Sequence, residues 1–132
     1  MNDRFFLYFS TMPSSTAQQK RYNGRTHTYF KDKRLEATEQ EFYTALKPHA
    51  PDHPSEKPIE LHIWLYFDVK DKKKWGKPKT STPDADNYSK AFIDQMAKCG
   101  FFKNDSQITD LHIEKFYAEK ACIVVEYKEI EA

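Results

Sequence analysis

Three aspartates and one lysine carry the chemistry this sequence has to offer. Asp84 and Asp86 stand two residues apart in the run Thr82-Pro83-Asp84-Ala85-Asp86-Asn87, Lys90 follows in the next turn, and Asp105 comes after an apolar-periodic stretch. Carboxylates two residues apart share a side where the chain is extended, and they repel unless a helix N-terminus, a lysine or a divalent cation compensates. If Asp105 joins them, three carboxylates provide hard oxygen ligands for Mg2+, with Mn2+ as the alternative; both ions keep several waters and accept phosphate oxygens. The chemistry of such a centre is phosphodiester hydrolysis by metal-activated water, with Lys90 placed to stabilise the transition state or position the water. Spacing alone leaves a second reading open, in which Asp86 is an N-cap, Asp86 and Lys90 an i,i+4 pair worth about 0.3–0.5 kcal/mol, and Asp105 a turn residue. An EF-hand calcium loop fits less well still, because its glycine and terminal glutamate are missing.

The elements that must position these groups are legible from periodicity. A helix is predicted from Asp86 to Cys99, with Tyr88, Ala91, Phe92, Gln95, Met96 and Cys99 as its buried stripe. Gly100 is expected as the left-handed residue just past its end, with Phe101 or Phe102 packing back. Such a helix spans roughly 20 Å, so Asp105 rejoins the first two aspartates only if the chain doubles back after Gly100. Before the motif, Ile59, Leu61, Ile63, Leu65, Phe67 and Val69 alternate with Glu60, His62, Trp64, Tyr66 and Asp68, the period of a strand with one face on the core. Its other face is aromatic and is expected to be covered by a helix or another subunit; His62 there reads as a packed or interfacial histidine. Strands are predicted at Phe5–Phe9, Ile108–Tyr117 and Ala121–Tyr127, the last two as an antiparallel hairpin. Ser10–Thr28 reads as a loop, and Asp32–Leu46 as a helix capped by Asp32 and stopped by Pro48. The order strand, helix, strand, helix, strand, strand indicates one α+β (mixed α/β) domain over residues 1–132, with a central mixed sheet and two main helices.

A net charge of +1 conceals two basic segments. Lys20–Arg34 holds six bases against Asp32, and Lys70–Thr80 six more against Asp71, on a chain that is otherwise acidic. That distribution is the footprint of a polyanion binder, and Lys20, Arg21, Arg25, Lys72, Lys73, Lys74, Lys77 and Lys79 are the candidate contacts; a pair of solvated lysine-rich loops is the alternative. Trp75 could stack on a base or anchor its loop to the core. Cys99 and Cys122 read as small buried hydrophobes, and the lack of a signal peptide or an apolar run of about 18 residues points to a cytoplasmic protein without a membrane partner.

Pro83-Asp84-Ala85-Asp86-Asn87 with Lys90, Ala91 and Asp94, followed by Asn104-Asp105-Ser106-Gln107-Ile108, resembles the signature of the RusA-type Holliday junction resolvases. The resemblance is tight from Pro83 to Asp110 and looser elsewhere. It implies a small Mg2+-dependent homodimer that introduces paired nicks in branched, four-way DNA during recombination and repair, in a bacterium or a phage-infected cell. It also implies metal ligation by Asp84, Asp86 and Asp105, catalysis by these with Lys90, and supporting roles for Asn87, Asp94, Asn104 and Gln107. Asn104 departs from the pattern by standing where members often carry another aspartate. The competing expectations are a non-catalytic junction-binding or recombination accessory protein, and a nuclease for flap or other branched DNA.

Overall fold

The computed structural model of the chain describes residues 2–13, 20–23, 28–31 and 33–131, with side chains described over 3–13 and 33–131. In chain order the elements are β1 (Asn2–Tyr8), β2 (Lys20–Asn23), β3 (Thr28–Lys31), α1 (Lys33–Leu46), β4 (Ile59–Asp68), α2 (Ala85–Cys99), β5 (Ile108–Ala118) and β6 (Cys122–Glu129). Short 3-10 turns occupy Lys47–His49, Lys72–Lys74 and Asp105–Gln107.

The alternation read from residues 59 to 68 is realised in β4. Ile59, Leu61, Ile63 and Leu65 are fully buried, each worth about 1.5–3 kcal/mol of apolar transfer, while Glu60, His62, Trp64 and Tyr66 are half-exposed. The helices cover the buried face together: the Phe42 ring of α1 meets Tyr88 and Phe92 of α2 edge-on at 5.6 and 5.1 Å, and Tyr88 meets Phe67 of β4 at 5.2 Å. The helix expected after Ser10–Thr28 forms and ends at Leu46, with Pro48 inside the following 3-10 turn; Asp32, its expected cap, lies outside the described residues.

Two strand assignments change. The main sheet runs β1-β6-β4-β5, so β5 and β6 are not a hairpin: β5 pairs parallel with β4, and β6 pairs antiparallel with it on the other side. The link through Glu119, Lys120 and Ala121 has only to cross one interposed strand, a step of about 10 Å that a few residues can reach. Burial favours this order, because β4 supplies the fully buried centre whereas Leu111 of β5 is 45% exposed and suits an edge. The second change concerns Ser10–Thr28, where β2 and β3 form a separate antiparallel ribbon pairing Lys20 with Lys31 and Asn23 with Thr28. Its residues mix bases and aromatics, without the apolar alternation by which a strand is read.

The sheet face opposite the helices is aromatic, as its composition implied. Phe6 and Tyr8 are 49% and 72% exposed and stack on each other; Tyr66 stacks on Phe116, and His62 on Trp64 at 3.6 Å. Asp68, at the end of β4, ties down the segment leaving β1 by accepting hydrogen bonds from the Met12 amide and the Thr11 hydroxyl, each 2.9 Å. The buried Tyr88 hydroxyl donates to the Pro13 carbonyl, fastening the same segment to α2.

Candidate active site

α2 delivers the first half of the acidic set. Asp84 is its N-cap, in extended conformation, and its side chain makes no capping bond; its carbonyl takes the first helical hydrogen bond from the Tyr88 amide at 3.0 Å. Asp86 is therefore a first-turn residue rather than the cap that spacing left open. The Asn87 amide nitrogen donates to the Asp84 carboxylate at 3.3 Å, which gives this motif residue a role in orienting Asp84. While Tyr88, Phe92 and Met96 turn into the core, Asp86, Lys90 and Asp94 follow one another at intervals of four along a second stripe of the same helix.

The second half arrives because the chain doubles back as required. Gly100 takes φ 96°, in the left-handed region, its amide and that of Phe101 reach back to the Ala97 and Met96 carbonyls at 3.1 Å, and Phe101 and Phe102 are buried. Asn104 then caps the 3-10 turn: its side-chain oxygen accepts from the Ser106 amide, and the Gln107 side-chain oxygen accepts from the Asn104 amide, both at 2.9 Å. Gln107 also donates to the Ser55 and Lys57 carbonyls, each 2.9 Å. These bonds leave Asp105 exposed at the head of β5, so Asn104 and Gln107 act on the backbone that presents it.

The two halves face each other across a cleft of about 390 Å³, with Asp86, Lys90 and Asp94 on one wall and Asp105, Thr109 and Leu111 on the other. Asp84 stands outside that lining, at the helix N-terminus. Burial pushes the Asp94 carboxyl up from its ordinary range, the Asp105 charge pushes it further, and Lys90 partly offsets both. Crowding of like charges at an open cleft is what a divalent cation relieves, and the oxygen-only donor set suits Mg2+ or Mn2+. Among the described residues, the group with three candidate ligand atoms within 4.8 Å of one another is a different one, Glu60, Asp110 and His112. Its imidazole is engaged with Asp110 at 2.9 Å.

The second basic segment is ordered against the same strand. Gly76 donates to the Tyr117 carbonyl (2.8 Å), Tyr117 to that of Lys77 (2.9 Å) and Lys79 to that of Lys115 (3.0 Å), so the loop runs along the edge of β5. Lys74 and Lys79 lie over the Tyr117 ring at 5.3 and 4.9 Å. A hydrogen bond with Ser81 and the charges of Lys79, Lys74 and Lys115 hold the Tyr117 phenol below its ordinary pKa. Trp75 donates its indole N–H to the Val69 carbonyl at 2.8 Å, the anchoring arrangement; Lys72, Lys73 and Lys74 form an exposed 3-10 turn and Lys77 is exposed beside it. Lys20 and Arg21 are placed in β2 by their backbone, and Arg25 lies outside the described residues. Sequence reasoning missed Lys115, whose ammonium donates to the Ser81 and Pro83 carbonyls at 2.8 and 2.9 Å. The available signal was a lysine in a strand, on the face shared with apolar residues.

Comparison with known proteins adds an independent line. Residues 11–128 match the family described as Endodeoxyribonuclease RusA. The chain is 31% identical over 134 residues to the crossover junction endodeoxyribonuclease rusA of Lactococcus phage r1t, covering 98% of this chain and 100% of that protein. It is 27% identical over 149 residues to the uncharacterised protein YqaN of Bacillus subtilis (strain 168), covering 98% and 97%.

Proposed function

The chain belongs to the RusA family of endodeoxyribonucleases, and from that premise we propose that it resolves four-way DNA junctions by Mg2+-dependent hydrolysis of one phosphodiester in each of two opposed strands. The observation that supports this reading best is the convergence of Asp86, Lys90, Asp94 and Asp105 on one cleft, beside a lysine-rich loop hydrogen-bonded to the strand that Asp105 opens. DNA binding alone requires no such acidic set.

Asp84, Asp86 and Asp105 would hold the ion, Mg2+ or Mn2+. When bound, it supplies Lewis-acid activation of water and neutralises charge on the phosphate. Lys90, exposed in the same cleft, adds a fixed positive charge where the phosphate gains negative charge in the transition state. The lysines from Lys72 to Lys79 contact backbone phosphates and set position without reading sequence, so binding weakens steeply with salt. The protein acts as a homodimer, the symmetry that lets each protomer cut one of two opposed strands, and it works in the cytoplasm of a bacterium or a phage-infected cell. No helix among the described residues is long and apolar enough to cross a membrane.

The deciding experiment is cleavage of a synthetic four-way junction, compared with linear duplex and flap, with and without Mg2+. Wild type should cut the junction symmetrically and only with the metal. Asp86→Asn should bind the junction with near-unchanged affinity and lose cleavage; undiminished nicking by that variant would overturn the assignment, and preference for the flap would redirect it to another branched substrate.

A further inference from the structure

We propose that Lys115 is a positioning residue that locks the two halves of the acidic constellation into one register; the inference rests on the nuclease reading above. The halves arrive on different elements. Asp105 stands on the 3-10 turn that leads into β5, whereas Asp84 caps α2 and Asp86 lies in its first turn. Lys115 lies on β5, half-buried, opposite the fully buried Leu65 of β4, so its stem lies along the helix-side face of the sheet. Its ammonium is shared between the carbonyls of Ser81 and Pro83. One side chain thus joins the strand opened by Asp105 to the residue immediately before Asp84.

The neighbourhood gives that bond leverage. Backbone pairing between the loop and β5 reaches Lys79, which donates to the Lys115 carbonyl, and helical bonding resumes when the Asp84 carbonyl accepts from Tyr88. Between these points Pro83 has no N–H to offer. The bonds that tie the stretch to β5 are those of Lys115 together with the contact between the Ser81 and Tyr117 hydroxyls at 3.1 Å. Removing the ammonium leaves two carbonyls without their donor and frees the segment whose backbone sets the direction of Asp84. Loss of a group that orients metal ligands typically costs 10–100-fold in affinity or activity, and small misplacements of reacting groups cost similarly.

The test is Lys115→Met, measured by single-turnover cleavage of a four-way junction, by junction affinity, and by Mn2+ binding, with Asp86→Asn as the reference variant expected to lose that binding. Expected are a 10–100-fold fall in the cleavage rate, a comparable weakening of Mn2+ binding and a junction Kd within about twofold of wild type. Lys115→Arg, which retains a charged donor able to reach both carbonyls, should recover most of the loss. Wild-type rate and Mn2+ affinity in Lys115→Met would overturn the proposal, as would a weaker junction Kd with a reduced salt slope and an unchanged rate, since that pattern belongs to a phosphate contact. If Lys115→Met does not fold, Lys115→Gln, too short to reach both carbonyls, is read by the same criteria. If wild type fails to cut the junction, the substrate reading falls, while the Mn2+ comparison still decides the role of Lys115.

Discussion

Asp94 and Asp68 are both partly buried carboxylates, and their surroundings push them in opposite directions. Burial raises the Asp94 carboxyl, and the Asp105 charge at the same cleft raises it further. For Asp68, burial raises the carboxyl, but the Met12 amide and the Thr11 hydroxyl outweigh it and hold it below the ordinary range. A depressed folded-state pKa adds stability above the unfolded carboxylate pKa, and that stability is lost as pH falls through the folded value. Asp68→Ala should therefore cost about 1–2 kcal/mol near neutral pH, after discounting two charge-assisted hydrogen bonds for partial exposure. Urea melts should find the cost shrinking below about pH 4; an equal cost at low pH would assign it to packing instead.

At the scale of elements, the site depends on where α2 stops. Gly100 reverses the chain in the left-handed region, Phe101 and Phe102 fix the exit in the core, and the Asn104–Gln107 capping box presents Asp105. A Cβ added at Gly100 meets nothing closer than the Pro54 side chain at 3.8 Å, so its cost is conformational rather than steric. Gly100→Ala should lower unfolding free energy by about 1 kcal/mol in denaturant titration. Asn104 has a structural explanation that its place in the motif did not supply: its side-chain oxygen serves the Ser106 amide, a job for which an uncharged side chain suffices.

For the molecule as a whole, the sheet presents one face to two helices and leaves the other aromatic. Phe6, Tyr8, Trp64 and Tyr66 on that face form an apolar surface of the kind that marks protein contacts, and a second copy is its proposed occupant. Phe6→Glu should then shift the protein from dimer to monomer in light scattering coupled to size exclusion, with the fold unchanged by circular dichroism. A wild-type monomer, or a variant that remains dimeric, would remove this face from the proposal.

Residue order alone determined the long alternating strand and the stop at Gly100, because periodicity and left-handed backbone are local properties, and it nominated Asp84, Asp86, Lys90 and Asp105 by their chemistry, of which Asp86, Lys90 and Asp105 line one cleft. It also identified the two basic segments, since clustering of charge is read directly along the chain. Strand partners were not legible: β5 and β6 each carry a strand pattern, yet their placement on either side of β4 is decided by which strand can be buried on the core. The ribbon of β2 and β3 escaped for a related reason, as its register comes from pairing rather than from apolar alternation. Lys115 shows the same limit at the site itself. A lysine in a strand says nothing of the carbonyls it will meet, and only the tertiary fold brings Ser81 and Pro83 to its ammonium and Asp105 across from Asp86.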